Sequence, residues 1–364
     1  MKKLLILSVI LLASCSSAPD VPDVVETVAT FADEVVSVSA LPTATNTPIP
    51  TVTPTPTSTP WAFPTPIYDP EQSWPYGVPE MVEPIPEAWN ENVKVYVLLG
   101  SDYSTWRTNL VTGTDNTDAF IILIVRNDPA MISMVSIPRD LYVFLPGFGM
   151  QRINTAWRIG GAEMVADTLR YNFGLPMHGY AYVRMAAFSR FIDDALHGIE
   201  IEVRNPVIDS CGNIEINLLT GTQFMDGPTA TCYARIRMFD GAFKRQTRHI
   251  DVLLAMKEKF FEIAGDEPFT LLSKIFDVYM SEHRYTNVGI LEVMETFPIA
   301  IEANDNDRVL EYQLDYETGI IHFDHPVTGA WLLQPADADC TYNLFWMAVM
   351  GEPWDTLPPT CTLE

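Results

Sequence analysis

The sequence Tyr233-Ala234-Arg235-Ile236-Arg237-Met238-Phe239-Asp240 continues through Lys244-Arg245-Gln246-Thr247-Arg248-His249. It places four arginines within fourteen residues of a chain whose formal net charge is −25. The first two share one face if the backbone is extended, and the last two are neighbours on a helix. Clustered guanidinium groups repel each other unless an anion lies among them, and their planar forks suit the oxygens of a diphosphate. The alternative is that each arginine pairs singly with a surface carboxylate.

Short apolar runs in the middle of the chain indicate the fold class. Lys94–Leu99, Ala119–Val125 and Met131–Ile137 are almost continuously hydrophobic and rich in β-branched or aromatic residues. Such runs are typical of strands that are buried on both faces of a sheet. The sequence therefore predicts an α/β domain in which helices cover the sheet.

The remaining elements are predicted from apolar spacing and turn residues. Helices are predicted over Gly161–Phe173, Ala186–Leu196, Pro228–Ala234, Ile250–Ile263, Thr270–Met280 and Val288–Phe297. Further strands are predicted over Ala181–Val183, Ile199–Val203, Val309–Leu314 and Ile320–Phe323.

The first fifteen residues have the features of an export signal. Lys2-Lys3 precede the apolar run Leu4–Ala13, which is too short to span a membrane alone. Leu12-Ala13-Ser14-Cys15 is similar to a bacterial lipobox, which predicts cleavage before Cys15 and lipidation of its thiol. We therefore expect a lipoprotein that is anchored to the outer face of the cell membrane. The alternative is an ordinary signal peptide.

Composition divides the rest of the chain. Residues 16–92 are rich in Thr and Pro, which predicts an extended, disordered extracytoplasmic tether. A folded domain is expected over 93–335, followed by a cysteine-containing tail over 336–364. The strongly negative net charge argues against nucleic acid as a partner.

Four cysteines remain after Cys15, an even number in an exported chain. Their spacing suggests the local pairs Cys211–Cys232 and Cys340–Cys361, although four cysteines allow three connectivities. Cys232 could instead be a buried, reduced thiol. The sequence contains no CxxC, HExxH or Cys/His cluster, so a zinc site is not expected.

Acidic residues lie at the ends of two predicted strands. Asp102 follows the first strand and Asp118 precedes the second, so neighbouring strands would bring both carboxylates to one end of the sheet. Together with a diphosphate and water they would form an octahedral Mg²⁺ site. Either aspartate could instead cap a turn. Arg139, which follows the third strand, would point to the same end, and Asp140 could brace it.

Together these motifs resemble the LytR–CpsA–Psr family of cell-wall glycopolymer transferases, over about residues 93–335. The resemblance rests on the following pieces, in family order: Leu98-Leu99-Gly100-Ser101-Asp102, Asp118, Ser136-Ile137-Pro138-Arg139-Asp140, Arg152-Ile153-Asn154, Asp194-Ala195-Leu196-His197-Gly198, Asp226-Gly227 and Tyr233-Ala234-Arg235-Ile236-Arg237 through Arg248.

The resemblance implies a central mixed β-sheet flanked by helices in an α/β/α arrangement. It also implies a magnesium-dependent phosphotransferase that moves a glycan from a polyprenyl diphosphate carrier to a hydroxyl of the wall acceptor, typically peptidoglycan. The prenyl tail would lie in an apolar groove that could include Phe188, Phe191 and Ile192, although a plain hydrophobic core explains these residues equally well. By the same resemblance, the Mg²⁺ ligands are Asp102 and Asp118, the groups that grip the diphosphate are Arg139, Arg235, Arg237 and Arg245, and further substrate-binding residues are Arg152, Asp240, Arg248 and His249.

The sequence departs from the family pattern at several places. Asn116 stands where the family has an arginine, Ala242 where it has an acid, and His249 where it has a glutamine. Asp240 is near enough to replace the missing acid, and Arg152 replaces a lysine. These departures leave a second hypothesis, a lipoprotein that binds polyprenyl diphosphate lipids on the same fold without transfer.

Overall fold

The computed structural model describes residues 79–101, 116–236, 241–264, 285–353 and 361. The predicted signal peptide with Cys15 and most of the predicted tether lie outside these residues. Asp102, Arg237 and Asp240 of the predicted site also lie outside them, as does the helix predicted over Thr270–Met280.

Strands of the described residues are numbered in chain order. They are β1 (Val93–Ser101), β2 (Thr117–Arg126), β3 (Met131–Ile137), β4 (Tyr142–Leu145), β5 (Gly149–Arg152), β6 (Gly179–Arg184), β7 (Ile199–Val203), β8 (Val207–Cys211), β9 (Ile214–Leu218), β10 (Gly221–Met225), β11 (Tyr285–Thr286), β12 (Val309–Gln313), β13 (Ile320–Asp324) and β14 (Trp331–Pro335).

The α-helices of the same residues are α1 (Ala156–Phe173), α2 (Met185–Leu196), α3 (Gly227–Arg235), α4 (Gly241–Ala264), α5 (Ile290–Asp305) and α6 (Ala338–Met350). Short 3-10 turns cover Pro86–Trp89 and Ile153–Thr155. None of the described helices combines the length and the apolar character that crossing a bilayer requires.

A six-stranded sheet in the order β11-β6-β1-β2-β3-β12 forms the centre of the described structure. Strands β1, β2 and β3 are antiparallel neighbours. Strand β6 runs parallel to β1, and β12 runs parallel to β3. The sheet is therefore mixed and lies between layers of helices, which confirms the predicted fold class.

Both faces of the sheet are buried, as the apolar runs predict. In β1, Tyr96 and Leu98 point to the face that we call the front, and Val95, Val97 and Leu99 point to the back. Helices α2, α3, α4 and α5 cover the front face. Helices α1 and α6 and the hairpins β4–β5 and β13–β14 pack in the core of the back face.

Arg235 does not lie in extended backbone, so the condition under which it would share a strand face with Arg237 is not met at this residue. Arg235 is the last residue of α3, and Ile236 leaves the helix with φ −52° and ψ 135°. The helix begins at Asp226, whose carboxylate accepts a hydrogen bond from the Thr229 N–H at 2.9 Å. This N-cap and Pro228 in the first turn favour a helix that continues through Arg235.

Helix α1 begins five residues before the predicted one, but it is not continuous. Gly160 and Gly161 have non-helical backbone angles, with φ +61° at Gly161, a left-handed value that favours glycine. The regular segment after this kink matches the prediction over Gly161–Phe173. Strands β3 and β7 have the predicted bounds Met131–Ile137 and Ile199–Val203.

Residues on both sides of the predicted 93–335 domain pack into its core. Ile85 and Ala88 are fully buried, and the Ile85 N–H donates to the Gly174 carbonyl at 3.1 Å. Leu344 and Phe345 of α6 are fully buried against the back face.

Both predicted disulfides are confirmed. Cys211 in β8 is bonded to Cys232 in α3, with Cα atoms 5.6 Å apart. Cys340 in α6 is bonded to Cys361, with Cα atoms 5.3 Å apart. The first bond joins a front hairpin to a front helix, and the second holds the end of the described chain in the back core.

Candidate active site

Asp118 lies at a β-bulge near the start of β2. Gly100 of β1 pairs with Ala119, but Ser101 pairs with Thr117, so Asp118 is an extra residue in the ladder. Neighbouring residues of a regular strand point to opposite faces of the sheet. Asp118 and Ala119 nevertheless line the same pocket. The bulge therefore aims the carboxylate into the front side of the molecule.

Two arginines hold the Asp118 carboxylate from different elements. Arg139, which follows β3, places Nη1 2.6 Å from Oδ1, and Arg245 of α4 places Nη1 3.7 Å from Oδ2. The Arg245 side chain is only 6% exposed and that of Asp118 only 12%. A charged group this deeply buried depends on its partners, because an unpaired charge in the interior is costly.

A chain of ion pairs leads from Asp118 towards the back of the sheet. Arg139 Nε lies 3.1 Å from Asp140 Oδ2, and Arg152 Nε lies 3.1 Å from Asp140 Oδ1. Arg152 also donates from Nη2 to the Trp331 carbonyl at 3.0 Å. Burial opposes the charge of Arg139, but the carboxylates of Asp118 and Asp140 outweigh it and raise the pKa of the guanidinium. Arg139 is therefore a permanent cation between the two acids.

Gln246 fixes the start of α4 to the central sheet. Its Nε2 donates to the Ser136 carbonyl at 3.0 Å and lies 3.4 Å from the Leu314 carbonyl, and the side chain is buried. Because Arg245 precedes Gln246, this anchor sets the position of the guanidinium at Asp118.

Arg248 supports the end of α3. It donates a hydrogen bond from Nη2 to the Ile236 carbonyl, and its guanidinium lies 5.9 Å from the centroid of the Tyr233 ring. These contacts hold the backbone that follows Arg235. Arg248, which was predicted to support the other arginines, therefore contacts residues on both sides of Arg235.

His249 lines the same pocket as Asp118. Burial lowers the pKa of its imidazole to about 3, and the charges of Arg245 and Arg248 add to this effect. The Asp118 charge and a hydrogen bond with the Ala234 backbone act in the opposite direction but are weaker than burial. At neutral pH the ring is therefore an uncharged polar group on the pocket wall.

The pocket itself is apolar over most of its surface and has a volume of about 910 Å³ when its open side is included. It lies on the front side, between the ends of β1 and β2 and the helices α2, α3 and α4. Its polar lining residues are Ser101, Asp118, Thr231, Arg235 and His249. The apolar wall includes Leu98, Leu99, Ala119, Ile121, Val183, Met185, Phe188, Phe191, Ala234, Val252, Leu253 and Met256.

The structure brings most of the predicted residues together. Arg235 and His249 share the pocket with Asp118, which pairs with Arg139 and Arg245. Arg152 is farther away and reaches this group through Asp140, which braces Arg139 as expected. Phe188 and Phe191 line the pocket, whereas Ile192 is fully buried in the front core.

Several residues of the site were missed from the sequence. Val252, Leu253 and Met256 are spaced to share one helical face with His249, so the periodicity of α4 could have identified them. Gln246 gave no sequence signal, because its partners are the distant carbonyls of Ser136 and Leu314. The Asn154 side chain is buried, and its Oδ1 has no hydrogen-bond partner among the described residues.

A sequence model of the LytR_cpsA_psr family matches residues 81–339, well over half of the chain. The chain belongs to this family. The match contains every described member of the site, from β1 to the Trp331 hairpin. Within the described residues, no group of three or more His, Cys, Asp or Glu side chains is arranged to hold a metal ion.

Curated relatives from this family align over the middle of the chain. The regulatory protein MsrR of Staphylococcus aureus is 31% identical over 210 residues, which is 56% of this chain and 62% of MsrR. The polyisoprenyl-teichoic acid–peptidoglycan teichoic acid transferase TagT of Bacillus subtilis is 24% identical over 214 residues, 57% of this chain and 64% of TagT. The match thus spans less than two thirds of the length of these relatives.

Solved structures of the family share the fold. The crystal structure of B. subtilis TagV has a TM-score of 0.60 and 21% identity, covering 74% of this chain and 100% of TagV. The structure described as TagT bound to LI-WTA has a TM-score of 0.54 and 22% identity, covering 72% of this chain and 92% of that one. At this level of identity the likeness establishes the fold alone.

Proposed function

We propose that this LytR_cpsA_psr protein is a phosphotransferase that moves a glycopolymer from a polyprenyl diphosphate carrier to a hydroxyl of a cell-wall acceptor, peptidoglycan. The observation that carries the proposal is the position of Asp118, which is held by Arg139 and Arg245 beside a deep apolar pocket. A lipid diphosphate needs both features in one place, since its tail seeks apolar surface and its head seeks cations.

The relatives support this substrate class. TagT is named as a transferase that joins polyisoprenyl-linked teichoic acid to peptidoglycan. This chain keeps an apolar pocket and a cluster of buried arginines at its edge. These features would recognise the lipid and the phosphates of the carrier rather than its glycan.

In the proposed reaction the arginines bind and orient the diphosphate. The acceptor hydroxyl attacks the phosphorus that carries the sugar, a new P–O bond forms, and the bond to polyprenyl phosphate breaks as the hydroxyl proton is released. Arg139 and Arg245 would neutralise charge on the phosphate oxygens, with Arg235 and Arg237 as further contacts. Fixed cations in a dry site stabilise this charge without having to reorient during the reaction.

Mg²⁺ is the cofactor that we propose for this site. Asp118 offers a carboxylate, a ligand type that Mg²⁺ prefers, and Asp102 would be the second ligand. The bound ion would neutralise phosphate charge and stabilise the oxygen on which polyprenyl phosphate leaves. Isothermal titration of the folded protein with Mg²⁺, compared with the Asp118→Asn variant, would test this assignment without an activity assay.

Transfer itself is tested with a short-chain polyprenyl diphosphate glycan and soluble peptidoglycan. We expect the purified protein to release polyprenyl phosphate and to label the acceptor, and we expect Arg245→Ala to abolish both. Release of the lipid phosphate without labelling of peptidoglycan would contradict the proposed acceptor. Absence of both, with the lipid still bound, would favour the second candidate function.

That second candidate is binding of polyprenyl diphosphate lipids without turnover. It is favoured by Asn116, which stands where the family has an arginine and whose Oδ1 has no hydrogen-bond partner among the described residues. Ala242 and His249 are the other departures. If this hypothesis holds, the double variant Asn116→Arg/Ala242→Glu gains transfer activity that the natural sequence lacks.

We also propose that Cys15 carries the lipid that anchors the protein to the outer face of the membrane. The support is the lipobox-like sequence that precedes this cysteine. Metabolic labelling with a fatty acid should tag the natural protein, whereas the Cys15→Ser variant should stay unlabelled. Labelling that persists in the variant would refute the proposal.

A further inference from the structure

Two aromatic side chains form an exposed surface on the hairpin β13–β14. His322 and Trp331 stack with ring centroids 5.1 Å apart and an interplanar angle of 19°. Trp331 is 39% exposed although it is a large apolar residue, and the His322 side chain is 38% exposed. His322 also lies 3.3 Å from the exposed carboxylate of Asp324. We call these three side chains the aromatic face.

The pairing of the hairpin explains why these residues share a face. Asp324 pairs with Trp331 and His322 pairs with Leu333, so all four lie on one side of the two strands. Leu333 is fully buried in the back core, and its N–H donates to the Asp140 carbonyl at 3.1 Å. The aromatic face is therefore carried by a hairpin that is fixed to the sheet.

The backbone of Trp331 is connected to the site through a series of three charged side chains. The Trp331 carbonyl accepts a hydrogen bond from Arg152, which pairs with Asp140, and Asp140 pairs with Arg139. Arg139 in turn contacts Asp118. This series of contacts leads away from the pocket. Its other members, Arg139, Asp140, Arg152 and Trp331, do not line the pocket, and the hairpin packs in the back core.

The geometry of phosphoryl transfer indicates that the acceptor approaches on the side of Asp118 away from the pocket. This assignment rests on the proposed function. The attacking and leaving oxygens lie roughly in line on opposite sides of the phosphorus. The leaving polyprenyl phosphate belongs with the apolar pocket on the front. The attacking hydroxyl must then approach from the other side of Asp118, where Arg152 and the aromatic face lie.

The chemistry of the aromatic face suits a neutral sugar ring. The apolar C–H face of a pyranose can stack on an exposed indole, while its hydroxyls hydrogen-bond to a neighbouring carboxylate and imidazole. An anionic ligand would be repelled by Asp324 and by a chain of net charge −25. At protein–protein interfaces, Trp is also one of the residue types enriched among those whose truncation costs the most binding energy.

We propose that Trp331, His322 and Asp324 form a subsite for a sugar ring of the acceptor glycan, on the hairpin that Arg152 and Asp140 link to the proposed transfer site. The subsite would hold the acceptor while its hydroxyl reaches the phosphorus near Asp118. The occupant is the peptidoglycan glycan and not the sugar of the lipid donor.

The test uses the full chain and a soluble, enzymatically released peptidoglycan disaccharide. Binding is measured by saturation-transfer NMR, and KM for acceptor and donor is measured in the transfer assay. We expect Trp331→Ala to weaken disaccharide binding and to raise the acceptor KM by about tenfold or more, with an unchanged donor KM. Trp331→Phe should recover part of the loss.

Val327→Ala is the matched control, because Val327 is 82% exposed on the turn of the same hairpin. The backbone carbonyl that binds Arg152 is kept in every variant, and His322→Ala provides an independent disruption if Trp331→Ala does not fold. An unchanged acceptor KM in both variants, or a rise in the donor KM instead, would overturn the subsite.

Failure of the subsite is distinguishable from failure of the proposed function. If the natural protein transfers glycan and Trp331→Ala does so with the same acceptor KM, only the subsite is refuted. If the natural protein binds the disaccharide through Trp331 but transfers nothing, the subsite stands and the enzymatic function fails. The Asp118→Asn variant should bind the disaccharide normally, since the subsite does not include Asp118.

Discussion

The front and back of the central sheet have different surfaces, and they meet at Asp118. The front side is covered by helices α2 to α5, which leave an apolar pocket of about 910 Å³. The back side is covered by α1, α6 and two hairpins, and its surface carries the ion pairs of Asp140 and Arg152. The difference suggests that the front binds the lipid carrier and the back receives the acceptor.

The largest effect on transfer is expected from a substitution at Asp118, where the two sides meet. Asp118→Asn keeps the shape of the side chain but leaves Arg139 and Arg245 without the charge that they share. We expect transfer to fall by about 10²–10³-fold, the size seen when one preorganised electrostatic group is lost from an active site. The measurement is the steady-state rate with both substrates saturating. Glu215→Gln, an exposed neutralisation on β9, is the control. Activity of Asp118→Asn within threefold of the natural protein would show that the two sides do not meet there.

The disulfides give the next largest effect, because each side has one with the same sequence separation of 21 residues. Replacing either pair by alanine should lower the free energy of unfolding by about 3 kcal/mol through loop entropy. Only the loss of Cys211–Cys232 should also raise the donor KM, because Cys232 lies in α3 with the pocket residues Thr231, Ala234 and Arg235. Urea unfolding and donor kinetics measure the two effects, and an equal rise of donor KM in both variants would contradict the division.

A smaller effect is expected from filling the pocket. Ala234→Trp places an indole in the front cavity, so the donor KM should rise by about tenfold, while disaccharide binding on the back stays unchanged. Ala186→Trp is the matched control, since Ala186 is exposed on α2, a helix of the same wall. If Ala234→Trp weakens disaccharide binding as much as donor binding, the two ligands share one site and the comparison fails.

The last effect is not on transfer but on stability, which should depend on pH through His249. Its folded pKa of about 3 lies below the ordinary value of 6.5, so between these values the unfolded chain binds the proton more readily. The stability of the natural protein must therefore fall as the pH drops from 6.5 towards 3. The His249→Gln variant, which lacks this titrating group, should lose less stability over the same range. We expect the Tm difference between variant and natural protein to grow across this window.

Asp167 on the back provides a control of opposite sign. Burial raises the pKa of its carboxyl to about 6, from 3.8, and its Oδ1 has no hydrogen-bond partner among the described residues. The folded state therefore takes up this proton first, and stability rises as the pH drops from 6 towards 3.8. Asp167→Asn should stabilise the protein most above pH 6. Parallel pH profiles for the two variants would contradict these assignments.

Much of the fold could be predicted because it depends on local patterns. Short apolar runs such as Met131–Ile137 favour strands whichever neighbour they pair with. The N-cap residue Asp226 was likewise a local signal for the start of α3. The same signal explains why Arg235 lies in a helix and not in extended backbone. Two arginines two residues apart fit a strand face, but the cap and Pro228 determine a helix that ends only after Arg235.

The site was harder to predict, because it depends on contacts between distant parts of the chain. The family motifs named Asp118, Arg139 and Arg245, but the bulge that aims Asp118 arises from the register between β1 and β2. Similarly, Arg152 and the Trp331 carbonyl are 179 residues apart in sequence. Local patterns carry no information about such pairs, so the connection from the site to the back hairpin required the structure.

The bulge also has a genetic consequence. Ser101 pairs with Thr117 and Gly100 pairs with Ala119, so the pairing of β1 with β2 does not require Asp118 or the codon that encodes it. Deleting that single codon would leave a continuous ladder between β1 and β2, but without the carboxylate that Arg139 and Arg245 share. One in-frame deletion would therefore remove the carboxylate of the proposed transfer site without interrupting the pairing of β1 with β2.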